Sequence, residues 1–456
     1  MTPIPKVTNP KEISELRNIS GLMNLDKVME KIICARVIED MKASLDPQQF
    51  ANQKGLSIQH YLIAMLDKIL AAVDKNSKDE CWAVMATMVD WREAFPRQDP
   101  TLGLQSFIEN GVRPSLIPII MSYFEGRQMY VQWHGKTSTM RKMPGGGPQG
   151  STFGIWSYLS QSNNNAECIE RDCRYKFVDD LTFLELINLL NIGMASHNIK
   201  NQVPSNIPSS NLFIPAENLK SQQYLEKINE WSDNQKMILH PKKTKSIIFN
   251  FTKGKQFSTE MKIKGEKVEV VEQSKLLGVI LRSDLKWSSN TQKIVTDANK
   301  RLRLLHAASQ FTTKTSDLKI IYMAFIRSKL EQSSVVWHSS LTEDNRRDLE
   351  RVQKAAVKII LRRSYTDYEE ALKILNLESL DQRRSRLCLK FAKNCLKNEK
   401  MKKLFPLASK NHNMDTRLKE KFKVNKAHSE RYKKSAVPFM QNLLNQEARK
   451  IQNILV

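Results

Sequence analysis

The sequence predicts an α+β fold with a helical, strongly basic C-terminal part, and three observations carry that expectation. The run Cys81-Trp-Ala-Val-Met-Ala-Thr-Met-Val89 is almost wholly apolar, as a strand buried on both faces is, and it ends at Asp90. Residues 173–187 read strand, turn, strand, with Asp179-Asp180 at the turn. From about residue 290 the pattern turns helical. Leu349, Val352, Ala356 and Ile359 recur at spacings of three and four, the apolar stripe of an amphipathic helix. The boundary between the two parts therefore falls near 285–290.

Charge supports the same division. The 456 residues carry 72 Lys and Arg against 48 Asp and Glu, a formal charge of +24. Residues 286–456 hold 37 against 17, whereas residues 1–285 hold 35 against 31. Such asymmetry points to a polyanion, nucleic acid above all, bound with release of counterions. A solvated basic helical surface is the plainer reading. Membrane binding is disfavoured, because no basic cluster flanks an apolar face and no 18-residue apolar run occurs. Residues 1–10 lack the apolar core of a secretory signal. The six cysteines show neither CxxC spacing nor a matching His pair, which argues against a disulfide framework or a zinc site. A reduced intracellular protein, nuclear or cytoplasmic and not secreted, is expected.

In chain order, helices are expected over 22–45, on Leu22, Leu25, Val28, Met29, Ile32, Ile33 and Val37, and over 56–73. Further helices are expected near 101–110 and 114–125, and a strand or hairpin over 127–142. Gly145-Gly-Gly-Pro-Gln-Gly-Ser151 forms a tight loop leading into a helix. Residues 198–216, rich in Asn, Pro and Ser, read as a surface loop or small insertion. An amphipathic helix over 217–238, a strand over 246–251 and short strands over 261–281 complete the mixed part.

The acidic residues at strand ends suggest chemistry. Hard divalent cations take oxygen ligands, and Mg²⁺ is commonly held by one or two carboxylates plus phosphate oxygens. Two such ions about 3.5–4 Å apart stabilise the attacking and leaving oxygens of phosphoryl transfer. Without a cation, converging carboxylates raise one another's pKa. The plainer alternatives are a capping box of Asp90 with Glu93 before a helix, and simple turn residues at Asp179-Asp180.

Five motifs in order resemble a reverse transcriptase of non-LTR (LINE-like, jockey-type) retrotransposons. They are Asp90-Trp-Arg-Glu-Ala-Phe95; Gly147-Pro-Gln-Gly-Ser151; Phe177-Val-Asp-Asp180; Lys243-Thr-Lys245; and Leu276-Leu-Gly278. Pro3-Ile-Pro-Lys6 and Leu16-Arg-Asn-Ile-Ser20 resemble the fingers motifs, and Phe50-Ala-Asn-Gln-Lys-Gly55 resembles the segment before the first palm strand. The resemblance runs from about residue 3 to about 365. It implies a right-hand polymerase with fingers, an antiparallel-sheet palm and a helical thumb, plus a basic helical C-terminal extension. Residues 1–80 would be fingers, 81–285 palm with interleaved fingers segments, 286–365 thumb and 366–456 the extension. The reverse transcriptase domain would span about 3–285.

The resemblance also implies templated DNA synthesis on an RNA template from a DNA primer, with dNTPs and two Mg²⁺ ions, or Mn²⁺ in their place. Asp90, Asp179 and Asp180 would be the catalytic metal ligands, with the carbonyl of Trp91 as a further donor. Phe95 would be a steric gate against the 2′-hydroxyl; its alternative is a core aromatic. Gln149 and Gly150 would lie under the nucleotide, where glycine permits close backbone approach. Lys6 and Arg17 would grip triphosphate oxygens. Lys243 would protonate pyrophosphate, with Lys242 and Lys245 as rivals on spacing. Arg301, Arg303, Arg383, Arg384 and Arg386 would hold the template–primer backbone without reading sequence, helped by Trp287 or Trp337 where these are not core.

Two departures stand out. Pro96 occupies the place where the family often has a second Asp, and the loop continues as Ser151-Thr-Phe-Gly-Ile-Trp156 rather than a Ser/Leu-Ser-Pro run. The family also joins an endonuclease, often with a zinc knuckle, to the polymerase. Neither is recognisable here, so the expectation is a polymerase segment of a larger element, a separate reading frame or a gene fragment. The competing functions are a catalytically silent nucleic-acid-binding remnant and an RNA-dependent RNA polymerase, the latter opposed by Phe95.

Overall fold

A computed structural model describes residues 1–77, 80–143, 145–190, 212–252, 256–311, 314–408 and 421–455. The expected insertion at 198–216 lies largely outside them. The central feature is a five-stranded sheet built from β1 (Trp82–Val89), β2 (Arg174–Phe177), β3 (Asp180–Asn188), β4 (Lys245–Phe249) and β5 (Glu269–Val270), in the order β5-β4-β1-β3-β2. β1 pairs antiparallel with β3 from Trp82↔Asn188 to Val89↔Leu181, and with β4 on its other side. This central position explains its apolar sequence, since both of its faces are covered. Thr87 and Ser246, the polar exceptions, share a buried hydroxyl hydrogen bond of 2.9 Å between β1 and β4.

Of the helices α1 (Asn24–Met41), α2 (Ile58–Val73), α3 (Pro100–Glu109), α4 (Thr152–Gln161) and α5 (Lys220–Asn234), α2 and α5 pack on the sheet, whereas α1, α3 and α4 pack on one another. α2 buries Tyr61, Leu62, Ile63, Met65, Leu66, Ile69 and Leu70 in the main core. A second core joins α1, α3 and α4 through Cys34, Val37, Met41, Phe107, Phe153 and Trp156. On α1 the expected apolar residues divide: Val37 is buried, while Leu25, Val28, Met29 and Ile32 are exposed. Apolar and charged residues are spread around that helix rather than gathered on separate faces. Its buried face carries Cys34, Val37 and Met41 together with Glu30, whose carboxylate accepts hydrogen bonds from the Tyr123 hydroxyl (2.9 Å) and the Thr152 amide (3.0 Å).

Beyond the sheet the chain is helical as expected, in α6 (Ser288–Phe311), α7 (Glu343–Leu361), α8 (Leu380–Cys395) and α9 (Ala436–Leu455). Leu349, Val352 and Ala356 of α7 are buried. These helices share the main core with the sheet rather than forming a core of their own. Among the described residues no helix is long and apolar enough to cross a membrane. All six cysteines are free thiols.

The edge of the sheet holds a buried ion network. The Asp46 carboxylate lies 3.0 Å from Arg174 Nε and 3.4 Å from Lys176 Nζ, and Lys176 also donates to the carbonyls of Ser162 (2.8 Å) and Asn163 (2.7 Å). Burial pushes the Lys176 amine down to about 8, against the pull of Asp46. Asp46→Ala leaves this cation buried without its counter-charge. It is expected to cost about 3–5 kcal/mol, read as a lower urea midpoint with an unchanged m-value.

Candidate active site

The site arises where strands end. β1 runs out at Val89, so Asp90 leaves the sheet at the point where β3 begins with Asp180. The register that sets Val89 opposite Leu181 brings Asp90 across from Asp180. Asp90 is held by its backbone. Its amide donates to Thr244 Oγ1 (3.3 Å) and its carbonyl accepts from the His240 amide (2.8 Å). The following residues form turns rather than a helix, with Glu93 at φ +51°. The capping-box alternative is not realised; Asp99 caps α3 instead, accepting from the amides of Thr101 and Leu102.

Asp179 and Asp180 expose surface yet stand among enough protein to be partly desolvated, as groups on the floor of a cleft are. Desolvation first, then the charges of Asp179 and Asp90, push the Asp180 carboxyl up to about 7. Asp179 is also raised by desolvation and by Asp90, while Arg17 draws it back. Desolvation raises Asp90, against Lys243 and His240. The three acids therefore feel one another, and Arg17 and Lys243 bear on them from opposite segments. The donor set is all oxygen and its charges repel, which suits a hard divalent cation. Among the described residues, however, no three His, Cys, Asp or Glu side chains stand close enough to form a ready cation cage.

Phe95 stacks on Tyr158 of α4, with ring centroids 5.0 Å apart and planes at 28°. Tyr158 is buried beside all three acids and its hydroxyl has no hydrogen-bond partner. The glycine loop closes over the same segment: the Gly147 amide donates to the Phe95 carbonyl (2.9 Å) and the Gly146 amide to the Gln98 carbonyl (2.8 Å). At Gly146, with φ +83°, a Cβ would come within 2.7 Å of the Pro96 carbonyl oxygen, so only glycine fits. The Gln149 carbonyl accepts from the Ser20 amide (2.7 Å), and Gly150 lies against Ile19. This contact ties the loop to the strand Leu16–Ile19, which carries Arg17.

The remaining expected residues divide. Lys6 is exposed just beyond the strand Thr2–Pro5, its amide donating to the Glu15 carbonyl (2.8 Å). Lys242 and Lys243 are both exposed, and only Lys243 is felt by Asp90. Lys245 is in β4 and pairs with Glu269 at 3.2 Å. Trp91, Trp287 and Trp337 are core residues. Arg301 donates to the Phe325 carbonyl (2.5 Å), and Arg303 is exposed on α6. Arg384 requires a correction: it is fully buried, its Nε donating to His338 Nδ1 (3.3 Å) beside the Trp337 ring, so it presents nothing to a phosphate. Arg383 is paired with Glu331, and Arg386 with Glu378 at 2.6 Å. Tyr158, Gln98 and His240 were not singled out from the sequence. Tyr158 had one signal, a hydroxyl-bearing ring on the helix following the glycine loop.

No protein-family model matches the chain. A stretch of 156 residues, 34% of the chain, is 33% identical to a probable RNA-directed DNA polymerase from transposon X-element of Drosophila melanogaster. Stretches of 151 and 152 residues are 27% and 28% identical to RNA-directed DNA polymerases from the mobile element jockey, of Drosophila melanogaster and Drosophila funebris. The matched stretch spans 16% of each relative's length. These relatives agree with the resemblance read from the motifs. Among solved structures, telomerase from Candida tropicalis with a fragment of telomeric RNA aligns over 82% of this chain and 54% of its own, at 10% identity and TM-score 0.38. Its apo form aligns over 82% and 58%, at 12% identity and TM-score 0.36.

The raised Asp180 carboxyl has a consequence for stability. Its folded pKa, about 7, lies above the ordinary 3.8. The folded state therefore loses stability as pH rises between those values and the group ionises. Asp180→Asn removes that loss. In metal-free buffer at pH 7.5 it is expected to be more stable than the unaltered chain, by on the order of 1 kcal/mol after solvent screening. The difference should vanish towards pH 4, as two pH series of thermal melts would read.

Proposed function

We propose that the chain is an RNA-directed DNA polymerase that adds dNTPs to a primer 3′-hydroxyl. The observation that carries the reading is the register setting Asp90 across from Asp180, next to Asp179 and near Tyr158, on which Phe95 stacks. In this reading the sheet is the palm, residues 1–80 are fingers, the helices after 286 a thumb, and residues 366–456 a basic extension.

Asp90, Asp179 and Asp180 would hold two Mg²⁺ ions, which when bound lower the pKa of the 3′-hydroxyl and grip the triphosphate. Arg17, already within electrostatic reach of Asp179, binds triphosphate oxygens, with Lys6 just beyond the end of the partner strand. Lys243, beside Asp90, delivers a proton to the departing pyrophosphate. Phe95, backed by Tyr158, closes the space a 2′-hydroxyl would need. Gln149 and Gly150 form the floor beneath the nucleotide. The template is RNA and the primer DNA, gripped along the backbone by the basic helices.

Primer extension on an RNA template with dNTPs and Mg²⁺ tests this. Asp90→Asn and Asp179→Asn are each expected to lower the rate at least about 10³-fold with melting temperatures kept. A folded chain that binds template–primer and makes no DNA overturns the polymerase reading in favour of a silent binding remnant. Phe95→Ala is expected to admit ribonucleotides about 10-fold or more better; an unchanged rNTP-to-dNTP ratio removes Phe95 from the gate.

The arginines separate by exposure. Arg303→Ala should weaken template–primer binding uniformly across sequences and lower the salt slope by about 1. Arg384→Met should leave the slope unchanged, because the side chain is buried. Affinity titrations across a salt series distinguish the two.

A further inference from the structure

The turn carrying the paired aspartates is strained. Phe177 pairs with Asp180, so Val178 and Asp179 form a two-residue hairpin turn. Val178 has φ +57°. The first central position of such turns usually takes glycine, and a β-branched residue there costs on the order of 1–3 kcal/mol. A conformation of that kind persists only when its surroundings hold it.

What holds it is residue 49. β2 is the edge strand of the sheet, and residues 48–50 lie along it as an added parallel segment. The Lys176 amide donates to the Gln48 carbonyl (3.0 Å) and the Phe50 amide to the Lys176 carbonyl (2.8 Å). From this segment the buried Gln49 side chain reaches the turn. Its Oε1 accepts from the Val178 amide (3.1 Å) and from the Ala51 amide (3.0 Å), using both lone pairs. The segment itself is pinned by Asp46, through its contacts with Arg174 and Lys176 and its acceptance of the Gln48 amide (2.9 Å).

We propose that Gln49 is a positioning residue of the active site: by accepting from the Val178 amide it fixes the turn and so sets Asp179 and Asp180 relative to Asp90. The proposal rests on the polymerase reading for its kinetic consequence, but not for the anchoring itself. Gln49 touches no substrate.

The test joins amide hydrogen exchange to kinetics in the full chain. Gln49→Met keeps the side chain's bulk and removes the acceptor. Exchange should quicken in the peptide spanning 177–181 and stay unchanged in β1 and β4. In primer extension kcat should fall about 10–100-fold and the half-saturating Mg²⁺ concentration rise, while KM for dNTP and affinity for template–primer hold. Gln49→Glu retains the oxygen and should retain the turn's protection. Should the Met variant fail to fold, Gln49→Asn, one methylene too short to reach, reads the same quantities. Unchanged exchange at 177–181 overturns the proposal, as does an opened turn with unaltered kcat and Mg²⁺ dependence. An opened turn in a variant whose parent chain extends no primer supports the anchoring and overturns the polymerase reading instead.

Discussion

Everything at the candidate site depends on the pairing of Trp82–Val89 with Asp180–Asn188. Side chains alternate across a sheet with a period of two, so a slip of one residue would send every buried side chain of the strand to the opposite face. It would also separate Asp90 from Asp180. The pairing cannot slip cheaply, because β1 is flanked on both edges and buried on both faces. Apolar burial, a non-directional force, is thus converted into the placement of three charged groups.

That placement works against the fold. Desolvation raises the proton affinity of all three carboxylates, and Asp90 raises that of Asp179 and Asp180 further, which gives back part of what the sheet supplies. The strain at Val178 adds to the cost. Compensation comes from backbone anchors rather than from counter-charges in contact. Thr244 and His240 hold Asp90, and Gln49 holds the turn. Arg17 and Lys243 act at longer range from exposed positions. Other bulky residues, Leu277 and Leu285 among them, also have positive φ, but at Val178 the conflict coincides with converging carboxylates, a combination characteristic of functional sites.

Much of this was legible beforehand. Apolar runs that stop at an acid announce strand ends, and a Gly-Pro-Gln-Gly run announces a loop with close backbone approach, so Asp90, Asp179, Asp180 and the glycine loop could be placed in order. The expectation failed where charge was read without periodicity. Leu380, Arg384, Cys388, Phe391 and Cys395 recur at spacings of three and four, so Arg384 occupies the buried stripe of α8. Counting arginines hid that pattern; registering them against the helix would have exposed it. Gln49 left no such trace, because its role is to meet a backbone amide 129 residues away, a relation set by topology alone.

The basic C-terminal part shares the main core with the sheet that carries the site. The Asp74 carboxylate, at the end of α2, accepts from the amides of His428 (2.7 Å) and Ser429 (2.8 Å). Lys400 donates to the Pro47 carbonyl (2.5 Å) and sits over the Phe50 ring. Residues 47–50 thus face two ways: towards the C-terminal helices through Pro47 and Phe50, and towards the aspartate turn through Gln49. Burial pushes the Lys400 amine down to about 7, so this contact is made by a group near the edge of losing its proton. In the polymerase reading, a surplus of positive charge anchored in this way would be held in place relative to the carboxylates. Electrostatic attraction alone carries no orientation. Here the shared core and the segment at 46–51 supply it.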